Sequence, residues 1–391
     1  MISKVTAPEI AIVGGGPSGL ALAGMLERAG FDYVVYERES KESLPRGGCL
    51  DLHLGSGQRA MKEAGCFDKM NKYGRRGDAT IHTVFDPAGT KVATWGEGHD
   101  KPELDRGQIK AALLTTIPDS KIKWGSRVKE VVRDEQGNIV LQFEGGEKAT
   151  GFKLVVGADG AFSKVRHLVT TATPQYAKRT FINGTIHPDN PFYPTVLKSA
   201  GVGPQVVMGK KLKIWNQMQG DGHYRVDLGF ERPVDFTRTG TFDLSDTEAV
   251  KKLLLTEEFF GQYSQYFQDL ISACEGPLFA WPLWHMPTDR FNWAPNADVT
   301  VIGDAAHVTP PFVGDGVNCA MRDSIILSQK LKEFGITKDA VAAYEKEMFG
   351  WATDLIERSL ECGDLFFDWN APGVFFETLA KKPLIGTTDN V

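Results

Sequence analysis

Three acids and one glycine cluster supply the chemistry legible in this chain. Gly14, Gly16 and Gly19 hold G-x-G-x-x-G spacing inside IAIVGGGPSG, Ile10 to Gly19. Glu37 closes the apolar run from Tyr33 to Tyr36, Asp159 follows Phe152 to Gly157, and Asp304 follows Val299 to Gly303. Glycines at this spacing permit a tight turn, a close backbone approach to a pyrophosphate, and near contact between helix and strand. A carboxylate at the end of the next strand takes ribose hydroxyls. This is the chemistry of holding a dinucleotide, with FAD and NAD both open at this point.

The elements that must position these groups follow from the flanking residues. Ile10 to Val13 has the continuous apolar character of a strand covered on both faces. Pro17 and Ser18 open a helix to about Ala29, whose free N–H groups and positive dipole end face the phosphates. Gly30 suits its C-cap, and Arg38 follows Glu37 out of the second strand. Asp159 and Asp304 both end buried strands, where ligands of open α/β sheets bind. Sites so far apart in sequence imply a discontinuous nucleotide domain.

Between these landmarks lie candidate contact loops. Arg46 to Gln58 places Asp51 and Leu52 among four glycines, which fits either a backbone drawn close to a ligand or a loop before a helix from Gly57 to Ala64. Glu103 to Arg106 opens a helix to about Thr116, with Arg106 as a surface ion pair or a phosphate ligand. Residues 79–95 alternate as a hairpin, a second hairpin spans 126–144, and residues 172–290 turn β-like around one helix from about Asp246 to Phe260. Trp215, Phe230, Trp281 and Trp284 in that region suit a core, or in part a pocket. The stiff, glycine-exposed loop Pro310 to Asn318 leads into a helix to about Phe334, whose N-terminus suits an anionic ring carbonyl. Val341, Tyr344, Met348, Trp351 and Leu355 then form one helical stripe.

The fold class is therefore α/β: a discontinuous Rossmann-like nucleotide-binding domain with an inserted β-sheet substrate domain and a C-terminal bridging helix. The nucleotide domain takes residues 1–76, 98–171 and 291–336, the substrate domain 77–97 and 172–290, and the helical segment 337–391. A net charge of -6 and the lack of a basic tract argue against a nucleic-acid partner. Five scattered cysteines without C-x-x-C spacing indicate neither a disulfide framework nor a metal site. No apolar run reaches membrane-spanning length, and MISKVTAPE contains no apolar core, so the expectation is a cytoplasmic protein, monomeric or weakly homo-oligomeric.

GGGPSG with Glu37-Arg38, GADGAFSKVR at Gly157 to Arg166, and GDAAH at Gly303 to His307 before PPFVGDGVN resemble the class A FAD-dependent monooxygenases of the p-hydroxybenzoate hydroxylase fold. Residues Gly47 to Gly65 and the GDAAHVTPPFVGDGVN block are similar to the tetracycline-inactivating flavin monooxygenases, the tetracycline destructases. The resemblance implies FAD held by Gly14, Gly16, Pro17, Ser18, Gly19, Glu37, Arg38, Asp51, Leu52, Arg106, Asp159, Gly303 and Asp304, with Pro311, Gly314, Gly316, Val317 and Asn318 over the flavin ring. His307 becomes a structural member of its motif. The implied reaction is hydroxylation of an aromatic or polycyclic small molecule through a flavin C4a-hydroperoxide, with NADPH or NADH and O2 as co-substrates and no catalytic side chain. The implied substrate pocket holds Asn183, Lys211, Trp215, Asp227, Pro311 and Phe312. Tetracycline inactivation, a non-oxygenating flavin reductase and a drug-sequestering flavoprotein are the alternatives. A halogenase is disfavoured, because Trp281-Pro282-Leu283-Trp284 lacks the W-x-W-x-I-P spacing.

Overall fold

Glu37, Asp159 and Asp304 stand at the carboxyl end of one parallel sheet. The computed structural model describes residues 7–236 and 242–385, so the ends of the first nucleotide-domain range and of the helical segment lie outside the described residues. The sheet runs Val299–Val301, Leu154–Gly157, Ile10–Val13, Tyr33–Tyr36, Ile122–Lys123. Ile10 pairs with both Leu154 and Tyr33, which aligns the ends of the three central strands. Ile10, Ala11 and Ile12 are fully buried, as a strand between two layers must be. Helices Pro17–Ala29 and Gly316–Phe334 pack together against it.

A second sheet of seven strands has the order Glu275–His285, Gln175–Ile186, Tyr224–Glu231, Leu212–Met218, Gln205–Gly209, His82–Phe85, Lys91–Trp95. The hairpin from residues 82–95 joins it through parallel pairing of Thr83 with Gln205. Strand alternation divides its residues between two faces. Ile182, Ile214, Val226, Leu228 and Phe230 form one core with Phe260, Phe267 and Leu270 from the adjoining turn and helix. Phe181, Val206 and Met208 face the opposite way, against Phe312 and the end of the long helix Lys338–Phe366. A small antiparallel sheet of Val128–Arg133, Ile139–Phe143 and Lys148–Thr150 flanks the nucleotide side.

Several element boundaries differ from the sequence reading. Glu103 and Leu104 are not helical; they pair with Asp51 and Leu50 as a two-residue strand. The helix starts one step later, at Arg106, because Asp105 and Gln108 form a reciprocal capping box. The helix begun at Thr247 ends at Leu254, after which Phe259 and Phe260 turn into the core. Short helices Tyr193–Ala200 and Gln265–Ser272 lie in the region read as β-like. Their burial against the sheet outweighs weak local signals. Among the described residues no helix is long and apolar enough to cross a membrane, and no acidic, histidine or cysteine cluster could hold a metal ion.

Candidate functional site

The glycine turn is shaped by contacts that leave no room for side chains at two positions and open room at a third. Gly14 has φ 110°, and an added Cβ would collide with the Ala158 carbonyl; at Gly19 it would collide with the Gly14 carbonyl. Gly16 instead has φ -73° and ψ -179°, accessible to any residue, and nothing lies within 4 Å of an added Cβ. Pro17 takes the first helical position, and Ser18 is buried with its carbonyl accepting from Ser324 Oγ at 2.8 Å. Glu37 reaches the turn: Oε2 accepts from Gly15 N at 2.5 Å and Oε1 from Glu39 N at 2.8 Å. Arg38 does not join them, since its side chain is exposed and pairs with Glu39 at 3.2 Å.

Asp304 opens the short helix Asp304–His307 and keeps contact with solvent although protein surrounds it. Burial raises its pKa, opposed by the charges of His307, Arg106 and Arg166. Arg106 is half-buried opposite, its pKa lowered by desolvation and sustained by Asp304, and its buried Nε has no hydrogen-bond acceptor. Gly47, at φ 111°, lets the 46–49 loop close on this guanidinium; an added Cβ would lie 2.6 Å from Nε. Asp159 is occupied within its own turn, accepting from Ser163 Oγ at 2.5 Å and Lys164 N at 2.6 Å. Arg166 points inward to the carbonyls of Ala305, at 3.0 Å, and Ala161, at 2.7 Å. His307 is buried against Asp323 at 2.7 Å, and Asp323 also accepts from Gly303 N at 2.7 Å and Trp351 Nε1 at 3.0 Å. Its role is to hold the strand end.

The loop from Pro311 to Asn318 meets the loop around Asp51. Pro311 and Gly314 are exposed, Gly316 and Val317 half-buried, and Gly314 takes φ 74°. Asn318 turns its side chain away into the fold and leaves only its backbone toward the loop. Its Oδ1 accepts from His53 N at 2.8 Å and Gly57 N at 3.3 Å, while Nδ2 donates to the Asp51 carbonyl at 3.0 Å. Leu52 likewise buries its side chain completely and offers only backbone. His53, unremarked in the sequence, links the two loops through Asp51 at 2.9 Å and Asp315 at 3.2 Å. Burial alone would lower its pKa; the hydrogen bond and charge of Asp51, with Asp315, raise it above the ordinary value. Arg358 completes the line, 3.2 Å from Asp315.

Four of the proposed pocket residues come together where the seven-stranded sheet faces this loop. Phe312 packs on Phe181, Phe366 and Phe367. Asn183 accepts from Trp281 Nε1 at 2.5 Å, and Trp215 Nε1 donates to Gln217 at 3.3 Å. Asp227 is not a free carboxylate, because Arg225 forks onto it with two bonds of 2.8 Å. Lys211 is a correction. It sits exposed in a hairpin turn at φ 64°, lining a separate surface cleft of about 450 Å³ with Glu231, Glu257 and Trp369. Period-two alternation along Leu212–Met218 places Lys213 on the pocket face with Trp215 instead, a signal the sequence carries.

These features suit a dinucleotide cofactor: an open space at Gly16, a buried Arg106 Nε lacking an acceptor, and an accessible acid at Asp304 across from it. The sequence profile of the FAD binding domain family matches residues 7–200 and 271–359. The chain belongs to this family. It is 27% identical over 440 residues to monooxygenase asqM of Emericella nidulans, covering 95% of this chain and 98% of that one. The solved structure of Klebsiella pneumoniae HpxO with FAD and uric acid superposes with a TM-score of 0.75 at 20% identity, covering 95% of this chain and 92% of that one. Tetracycline destructase Tet(55) superposes with a TM-score of 0.74 at 17% identity, covering 96% and 94%. This FAD-binding chain is an FAD-dependent monooxygenase, an oxidoreductase that uses NAD(P)H and O2.

Proposed function

We propose that this flavin enzyme inserts one oxygen atom of O2 into an aromatic or polycyclic small molecule. The observation that supports this reading most is the aromatic surface built where the Pro311 loop meets the seven-stranded sheet. Phe312, Trp215 and Trp281 there offer ring faces to a flat substrate, and Asn183 and the Arg225–Asp227 pair offer polar edges. In this reading the glycine turn and Glu37 hold the adenosine end of FAD, and Arg106 and Asp304 hold the phosphate and ribityl region. The amides of Gly314, Gly316 and Val317, at the start of the Gly316–Phe334 helix, face the flavin ring and favour negative charge on it. Bound FAD supplies the redox and oxygen chemistry; the chain orients the substrate and excludes water around it.

The division into nucleotide, substrate and bridging segments belongs to the same reading, as do cytoplasmic operation and a monomeric or weakly homo-oligomeric state. Five free cysteines fit a reducing compartment. Uric acid in HpxO and the name of Tet(55) make purines and tetracyclines members of the screen, not assignments. The test is to load the protein with FAD and screen aromatic and polycyclic natural products for stimulated NADPH oxidation with matching O2 uptake. Uptake yielding only hydrogen peroxide with every compound would refute the proposal, and substrate reduction without O2 uptake would establish a reductase instead.

A further inference from the structure

We infer that Lys213 is the anion-recognising residue of the substrate site, receiving a carboxylate or phenolate oxygen of an acidic aromatic substrate. This rests on the monooxygenase reading for the site's location, though not for its test. Lys213 lies in the Leu212–Met218 strand on the face turned toward the Pro311 loop, and it is only 3% exposed. Its Nζ stands 3.6 Å from the ring centroid of Phe366, 5.3 Å from Trp215 and 5.4 Å from Phe312. Three ring faces from the sheet, the cofactor-side loop and the long helix thus surround one ammonium group.

Among the described residues this nitrogen has neither an ion-pair partner nor a hydrogen-bond acceptor. The nearby candidates are all engaged or neutral. Asp227 is held by both arms of Arg225. Burial pushes the Cys362 thiol up to about 12, and burial pushes His82, edge-on to Trp215, down to about 4. Ring quadrupoles attract a cation but cannot replace the hydration it lost. Desolvation accordingly pulls Lys213 down to about 7, against the weaker pull of Cys362 and Asp227. A position serving only to fill the core would take a methionine without that cost. An anionic oxygen entering the cage supplies the missing partner, keeps the lysine protonated, and places the acidic end of the ligand beside Phe312.

Oxidised, FAD-loaded protein without NADPH tests this by calorimetric titration with salicylate and 1-hydroxy-2-naphthoate and with their methyl esters. The expected result is at least about tenfold tighter binding of each acid than of its ester, with proton uptake on binding at pH 8 as the lysine regains its charge. Lys213→Met removes that preference while changing ester affinity by less than about threefold. Lys213→Arg retains the preference but abolishes the proton uptake, since its guanidinium is always charged. Acids binding no tighter than esters in the native protein, or Lys213→Met weakening both alike, would overturn the inference. If Lys213→Met does not retain FAD, the arginine variant decides: proton uptake unchanged from the native protein overturns it. Acid-selective binding without oxygen consumption leaves this inference standing while removing the monooxygenase reading.

Discussion

Gly14 and Gly16, two residues apart, do different work, and substitution separates them. Gly14→Ala forces a Cβ into the Ala158 carbonyl at φ 110°, so the apoprotein itself loses about 2 kcal/mol or more, read by urea unfolding. Gly16→Ala fits the polypeptide as it stands, so apo stability changes by less than about 0.5 kcal/mol while FAD affinity falls at least about tenfold. Equal damage to both properties by both variants would contradict this account of the turn. Asp304→Ala removes the accessible acid facing Arg106, and the purified variant is expected to carry little FAD; full yellow occupancy would refute its assignment. Residues of this kind were legible because backbone turns and strand ends constrain residue type. Lys211 was misplaced because a hairpin turn shifts which residues face the pocket, whereas Arg225 stands two residues from Asp227 on one face of the strand Tyr224–Glu231, a period-two spacing the sequence carries.

The long helix Lys338–Phe366 ties the two sheets to the loops between them. Arg358 contacts Asp315 and the Leu384 carbonyl at 2.9 Å, and Ser359 Oγ donates to the Pro310 carbonyl at 2.5 Å. Arg358→Met takes the guanidinium from the buried Asp315 carboxylate while His53 stays beside it, and a loss of about 2 kcal/mol in urea unfolding is expected. Further along, Glu345 is buried and accepts from Thr300 Oγ1 at 2.8 Å, while burial pushes its pKa up to about 7. A raised folded pKa means that stability is fully present below the unfolded value near 4.5 and is lost as pH rises toward 7. Glu345→Gln keeps the acceptor for Thr300 without the charge. It is expected to match the native protein at pH 4 and exceed it by about 1–3 kcal/mol at pH 8; equal stability at both pH values would show the carboxylate to be solvated. The helical stripe of Val341, Tyr344, Met348 and Leu355 announced this element in sequence, because its burial repeats with the helix. Its buried charges were silent, since an isolated Arg or Glu in a helix reads as surface.

At the scale of the molecule, the parallel sheet fixes the cofactor end and the seven-stranded sheet faces it across the Pro311 loop. The parallel sheet was legible from three apolar strands, each closing on an acid. The second sheet was legible as strands, but its two inner helices and its pairing order depend on contacts distant in sequence. Cofactor binding acts on the whole assembly, so saturating FAD is expected to raise the melting temperature progressively with FAD concentration; a melting temperature independent of FAD would contradict a site formed only in the fold. The most direct measurement incubates FAD-loaded protein with NADPH, isotopically labelled O2 and the compound that best stimulates NADPH oxidation, then determines product mass. The predicted result is a product one oxygen atom heavier, carrying the label in proportion to NADPH consumed. Label recovered solely in hydrogen peroxide and water would contradict it.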